Sequence, residues 1–199
     1  MNLIDRIDAA RQRWNVLEHP FYVRWERGEL TPDDLEHYAG QYRHAVVALA
    51  GAAATAAPLA GRQHAEDEDA HIGLWDDFAS AAGAGPSSEP LSETAECAAA
   101  WGAADDALGA AAVLYAIESG QPEISETKLK GLVEHYGFRD DTPATAYFEL
   151  HAELDREHAR EARALLEEQA TPADEERLVS LAEGALSGNW ALLDGVARA

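Results

Sequence analysis

His151, Asp155 and His158 carry the first chemical signal in the chain. They stand at i, i+4 and i+7, which places two imidazoles and a carboxylate on one stripe of a helix. A core-facing stripe has no packing use for such groups, whereas imidazole with carboxylate is the usual ligand set for iron, manganese or zinc. The spacing recurs at His64, Glu68 and His71, on a stripe continued by Trp75 and Phe78, which mark that side as inward. Glu68-x-x-His71 and Asp155-x-x-His158 both have the carboxylate-x-x-histidine pattern of ferritin-like metal sites. Glu118 follows five uncharged residues, with Leu114 one turn earlier on its face. A carboxylate there is costly unless a cation holds it, although a place at the helix end would let it reach solvent. His71, Glu118, His151, Asp155 and His158, with His64 or Glu68 beside them, make six donors of mixed nitrogen and oxygen type. That set suits two iron ions, or manganese with iron, better than a four-ligand structural zinc. Open positions would then serve dioxygen.

Other reactive side chains are fewer. Tyr38, Gln41, Tyr42 and Ala45 form one helical stripe, preceded by Tyr22 in His19-Pro-Phe-Tyr22. Such tyrosines fill a core while their hydroxyls find partners, and they could equally line a pocket or be oxidised by a nearby metal–oxygen species. Lysine occurs only twice, as Lys128 and Lys130, while thirteen arginines supply the other positive charges. A solvated helix face accounts for the pair as readily as chemistry does. Cys97 reads as a small packing side chain, since nothing near it in sequence would lower its pKa. His19 reads as part of a turn, and His37 and His135 as ordinary polar positions.

The elements that must hold these residues are all helices. Apolar residues recur near period 3.6 throughout, and no stretch alternates with period two. Helices are expected over 2–16, 32–57, 59–82, 92–119, 125–136, 143–169 and from 172 to the end. Thr31-Pro32, Thr142-Pro143 and Thr171-Pro172 supply starts, Ser92 a cap, and the loop 85–90 and Gly137 supply stops. Residues 1–199 thus read as a single all-α domain with seven helices.

Composition narrows the function. The chain has 199 residues, 47% of them apolar, enough for one well-buried core. A formal charge of −22 argues against nucleic acid and anionic membrane surfaces as partners. No run of about 18 apolar residues is free of charge, which speaks against a spanning helix. Acids in the first eight residues are unlike a signal peptide, so the expected location is the cytoplasm.

Several segments together resemble a known family. They are His19-Pro-Phe-Tyr22, Tyr38-Ala-x-Gln41-Tyr42, Leu114-Tyr-Ala-x-Glu118, Lys128-x-x-Gly131-Leu, and the run from Tyr147 through His151 and Asp155 to His158. This set resembles the TenA/PqqC superfamily and, within it, the haem-oxygenase-like di-metal oxidases of the CADD-like para-aminobenzoate synthase type, over about residues 14 to 165. The resemblance implies a seven-helix haem-oxygenase-like bundle that contains no haem. It also implies metal ligands at His71, Glu118, His151, Asp155 and His158. It makes Tyr22 the sacrificed tyrosine, with Tyr38 beside it, and Lys128 the amine donor. In that chemistry a reduced di-metal centre and dioxygen oxidise the protein's own tyrosine, and an external reductant is consumed. The ring is excised, and the lysine nitrogen becomes the aryl amine. Dimers are common in such bundles by analogy. One position departs from the pattern: the family has glutamate seven residues before His71, and here that residue is His64. Either His64 ligates, or Glu68 or Asp67 takes over, or one metal is lost. The runner-up readings are a cofactor-independent PqqC-like oxidase and a non-catalytic scaffold or partner-binding protein with an eroded site. Lysine scarcity argues against the polyacid anchoring that the first would need.

Overall fold

The computed structural model describes residues 2–85 and 89–198, so part of the expected 85–90 loop lies outside the described residues. Among the described residues there are nine α-helices: α1 (Leu3–Arg13), α2 (Pro20–Glu26), α3 (Pro32–Ala60), α4 (Arg62–Ala81), α5 (Ser92–Trp101), α6 (Ala107–Glu118), α7 (Gln121–His135), α8 (Ala146–Gln169) and α9 (Glu175–Arg198). Among the described residues there is no strand, and the expected all-α bundle is what forms.

Several helix boundaries differ from the sequence reading: α7 starts at Gln121 rather than 125, α8 at Ala146 rather than 143 and α9 at Glu175 rather than 172, and two helix breaks have local reasons. The expected helix 92–119 is two helices. Gly102 closes α5, and the Asp106 side chain accepts from the Gly109 N–H at 2.6 Å to open α6. The run of alanines across this junction hides it from a periodicity argument. The break at His19-Pro20 is also a start. His19 caps α2 by accepting from the Phe21 N–H at 3.0 Å, while its other ring nitrogen faces Asp194 at 3.1 Å. Thus His19 is a buried cap and not a simple turn residue. Ser92 is the first residue of α5 rather than its cap.

α6 is the axis of the bundle. Every residue from Gly109 to Glu118 is buried, between α3, α8 and α9. Its small residues let neighbouring axes approach, and the Glu118 carboxylate at its C-terminal end is buried among them. Against the sequence expectation, α3 is long and apolar enough to cross a membrane by length and composition alone, with mean hydropathy 1.2 over its most apolar stretch. It carries a capping box of Thr31 and Asp34 and packs one face against α4, α5 and α6. Three buried tryptophans tie helices together through indole N–H groups that donate to backbone carbonyls. Trp25 reaches Lys128 at 3.1 Å, Trp75 reaches Ala39 at 2.9 Å, and Trp101 reaches Ala185 at 3.0 Å. Gly131 permits the first of these: a Cβ there would lie 2.6 Å from the Trp25 ring. That contact sets how closely α2 approaches α7.

Candidate metal centre and the aromatic cage beside it

α4, α6 and α8 converge on one buried cluster. His64, Glu68 and His71 come from α4, Glu118 from the last turn of α6, and His151, Asp155 and His158 from α8. Two groups of donor atoms lie within 4.8 Å of one another: His64, Glu68, Glu118 and His158 form one, and Glu68, His71 and His151 the other. Glu68 belongs to both. Its Oε1 is 2.9 Å from His71 Nδ1, 3.9 Å from His151 Nε2 and 4.0 Å from His158 Nδ1. His64 Nε2 sits 2.8 Å from Glu118 Oε1, and the His64 and His158 rings are 3.9 Å apart. Asp155 stands outside both groups, with Oδ1 3.7 Å from His158 Nδ1. Asp67, the other substitute that the sequence allowed, turns outward and takes a hydrogen bond from Gln63 at 2.8 Å.

The donor set fits a metal on chemical grounds. Glu68, Glu118 and Asp155 are each 1% exposed, and three carboxylates brought so close in an apolar interior repel unless a cation lies among them. Glu118 shows the cost: burial, then the charges of Asp155 and Glu68, hold its pKa well above the usual carboxylate range. Burial also raises Glu68, but its bond to His71 and the neighbouring imidazoles outweigh that and hold it low. Glu118 Oε2, both Asp155 oxygens, His151 Nε2 and His158 Nδ1 are buried without a hydrogen-bond partner. Native interiors seldom leave so many polar atoms unsatisfied in one place. His151 is set up as a donor, because its Nδ1 bonds the Tyr147 carbonyl oxygen at 2.7 Å. That bond puts the ring proton on Nδ1 and leaves the Nε2 lone pair facing the cluster.

Tyr22, Tyr38 and Lys128 meet in a second place, an aromatic cage adjoining the first. The Tyr22 and Tyr38 hydroxyls are hydrogen-bonded at 2.8 Å. Lys128 Nζ lies 5.2 Å from the Tyr22 ring centre, 5.6 Å from Tyr38, 4.7 Å from Tyr42, 6.0 Å from Trp75 and 5.8 Å from Phe148. No carboxylate forms an ion pair with it among the described residues. Burial alone pulls its pKa down to about 7. Lys130, two residues on, is exposed, so the two lysines have unrelated environments. Burial lifts Cys97 to about 12, which leaves it an inert packing thiol.

Tyr147 and Trp75 form the wall between cluster and cage, and sequence reasoning gave neither a place in the site. Tyr147 stacks on His151 with ring centres 4.0 Å apart and meets Trp75 edge-on at 4.9 Å. The available signal was spacing: Tyr147 is four residues before His151, and Trp75 four after His71.

Known proteins resemble this chain in sequence and in fold. A family profile described as iron-containing redox enzyme matches residues 60–191, which span α4 to α9 and every metal-type residue above. The chain belongs to that family. The 4-aminobenzoate synthase of Chlamydia trachomatis is 36% identical over 186 residues, covering 84% of this chain and 80% of that protein. The 4-aminobenzoate synthase of Nitrosomonas europaea is 29% identical over 222 residues, covering 96% and 89%. Among solved structures, a TenA homologue from Pseudomonas syringae superposes with a TM-score of 0.81 at 18% identity, over 99% of this chain and 91% of that one. This member of the iron-containing redox enzymes is therefore an oxidoreductase with a haem-oxygenase-like, TenA-type fold. The resemblance to the TenA/PqqC superfamily and its CADD-like branch stands.

Proposed function

We propose that the protein makes 4-aminobenzoate from its own side chains, with Tyr22 giving the ring and Lys128 the amine nitrogen. The observation that supports this most is the pairing of a buried lysine with Tyr22, 5.2 Å from Nζ to ring centre, beside a cluster of unsatisfied metal-type donors. His64, Glu68, His71, Glu118, His151, Asp155 and His158 would hold two iron ions, or manganese and iron, with Glu68 shared between them. When bound, that pair supplies dioxygen chemistry, with electrons from an external reductant.

The protein's own residues account for the rest. The cage is closed to bulk solvent, since Tyr22, Tyr38, Lys128, Trp75 and Phe148 are each at most 2% exposed. That excludes water as a competing nucleophile at an oxidised ring. Tyr38 fixes the Tyr22 ring through the 2.8 Å hydroxyl contact and offers a partner for the phenolic proton. A lysine pKa of about 7 leaves a sizeable share of Nζ unprotonated at neutral pH, with a free lone pair for attack on carbon.

The test uses protein carrying ¹⁵N-lysine, loaded anaerobically with ferrous iron (and in parallel with manganese and iron), then exposed to oxygen with a reductant. The expected result is ¹⁵N in released 4-aminobenzoate and altered masses in the peptides containing Tyr22 and Lys128. Both peptides unchanged would overturn the proposal.

A further inference from the structure

A cavity of about 80 Å³ lies between α1, α6, α7 and α9, and no metal-type residue of the cluster lines it. Four of its lining residues carry buried polar atoms with no protein partner: Arg11 Nε, Trp14 Nε1, Gln121 Oε1 and Asn189 Oδ1. Gln121 is only 2% exposed and Asn189 only 4%. Orphan groups gathered round a small polar cavity are the usual setting of ordered internal water, and this volume admits several molecules.

The cavity reaches α7, the helix that carries Lys128. Gln121 and Asn189 also lie beside Tyr42 of the cage. Their carbonyl oxygens are the atoms without a hydrogen-bond partner, so each brings a free acceptor to the cavity it lines. Tyr42 in turn faces Lys128 Nζ at 4.7 Å. On α7, Gln121, Ser125 and Lys128 stand at i, i+4 and i+7, so they share one inward stripe. The Ser125 hydroxyl on that stripe is another buried, unpartnered polar atom.

We propose that Gln121, Asn189 and Ser125 hold a file of water along the inner stripe of α7, forming the route by which Lys128 exchanges its proton with solvent. The proposal rests on Lys128 acting as amine donor, because only such a role demands that a fully buried ammonium lose a proton. The balance is simple: one N–H bond of the ammonium breaks, the lone pair stays on Nζ, and the proton leaves through the Ser125 hydroxyl and water in the cavity to bulk solvent. The cage itself has no base for it. Burial raises the pKa values of Tyr22, Tyr38 and Tyr42, so none of them is ionised near neutrality. Gln121 and Asn189 are positioning residues here, and Ser125 is the carrier nearest the lysine.

With only two lysines, ¹⁵N-lysine NMR of the whole protein gives one resonance for Lys128 and one for the exposed Lys130 as internal control. The readout is the hydrogen-exchange rate of each Nζ at pH 6. Ser125→Ala, and separately Gln121→Met with Asn189→Leu, should slow exchange at Lys128 by at least about tenfold, the rate equivalent of one lost hydrogen bond. Lys130 should be unaffected, and Ser125→Thr should keep the native rate. Unchanged exchange at Lys128 in these variants overturns the proposal. Should the double variant fail to fold, high-resolution crystallography of the native protein decides: ordered water touching Gln121 Oε1 and Asn189 Oδ1 supports the route, and a dry cavity overturns it. A failure of the amine-donor reading shows differently, as native exchange rates with no ¹⁵N in any product.

Discussion

Replacing Lys128 with methionine should make the protein more stable. Lys128 is wholly enclosed, and burial lowers its pKa from 10.5 to about 7. At about 1.4 kcal/mol for each factor of ten in proton affinity, that fall corresponds to about 5 kcal/mol of destabilisation when the group is charged in both states. The aromatic faces around Nζ return part of this, about 1–2 kcal/mol for a desolvated cation. Lys128→Met keeps the length of the side chain and removes the charge, so a net gain of about 2–4 kcal/mol is expected at pH 7. The sign with pH follows from proton counting. Between about pH 7 and 10.5 the unfolded chain binds more protons at this residue than the folded one, so native stability rises with pH through that window. Below about pH 7 both states are protonated and the cost is constant. The advantage of Lys128→Met should therefore be full at pH 6–7 and vanish towards pH 10.5. Urea unfolding of both proteins at pH 6.5, 8 and 9.5 measures it directly. A variant no more stable than native at pH 6.5, or a difference independent of pH, would refute the claim that this lysine is kept in place at a cost to folding. Such a cost is what a residue retained for chemistry shows.

Two further outcomes follow from particular contacts. Glu68→Gln should lower iron binding at both positions together, because Glu68 alone belongs to both donor groups, whereas His71→Ala should spare the group around His64 and Glu118. Metal analysis after anaerobic loading reads this as near-complete against roughly half loss of about two irons per chain, and equal losses in the two variants would rule out a shared carboxylate. Gly131→Ala should cost about 1–3 kcal/mol in chemical denaturation, since the added methyl meets the Trp25 ring at 2.6 Å and drives α2, which bears Tyr22, away from α7. A loss below about 0.5 kcal/mol would mean that the two helices have room to spare.

Much of the site was legible because helical pitch is a local property. His64, Glu68 and His71 share a stripe whatever the rest of the chain does, and so do His151, Asp155 and His158. The helical class was legible for the same reason, together with caps such as Thr31 with Asp34. The division at Gly102–Asp106 was not, since alanine satisfies either face of a helix and carries no phase.

The sequence by itself determined the all-helical class, the two metal-type stripes and the resemblance that tied Tyr22 to Lys128. Tertiary structure decided which donors share a centre. Glu68 became the common carboxylate because α4 meets α8 there, and Asp67, one position away, faces solvent. It also decided that Lys128 is enclosed while Lys130 is exposed, and that Tyr147 stacks on His151. The physical reason is that pitch fixes which residues of one helix point the same way. Which way that is, and what opposes it, depends on how several helices pack, and that is written in contacts between residues far apart in the chain.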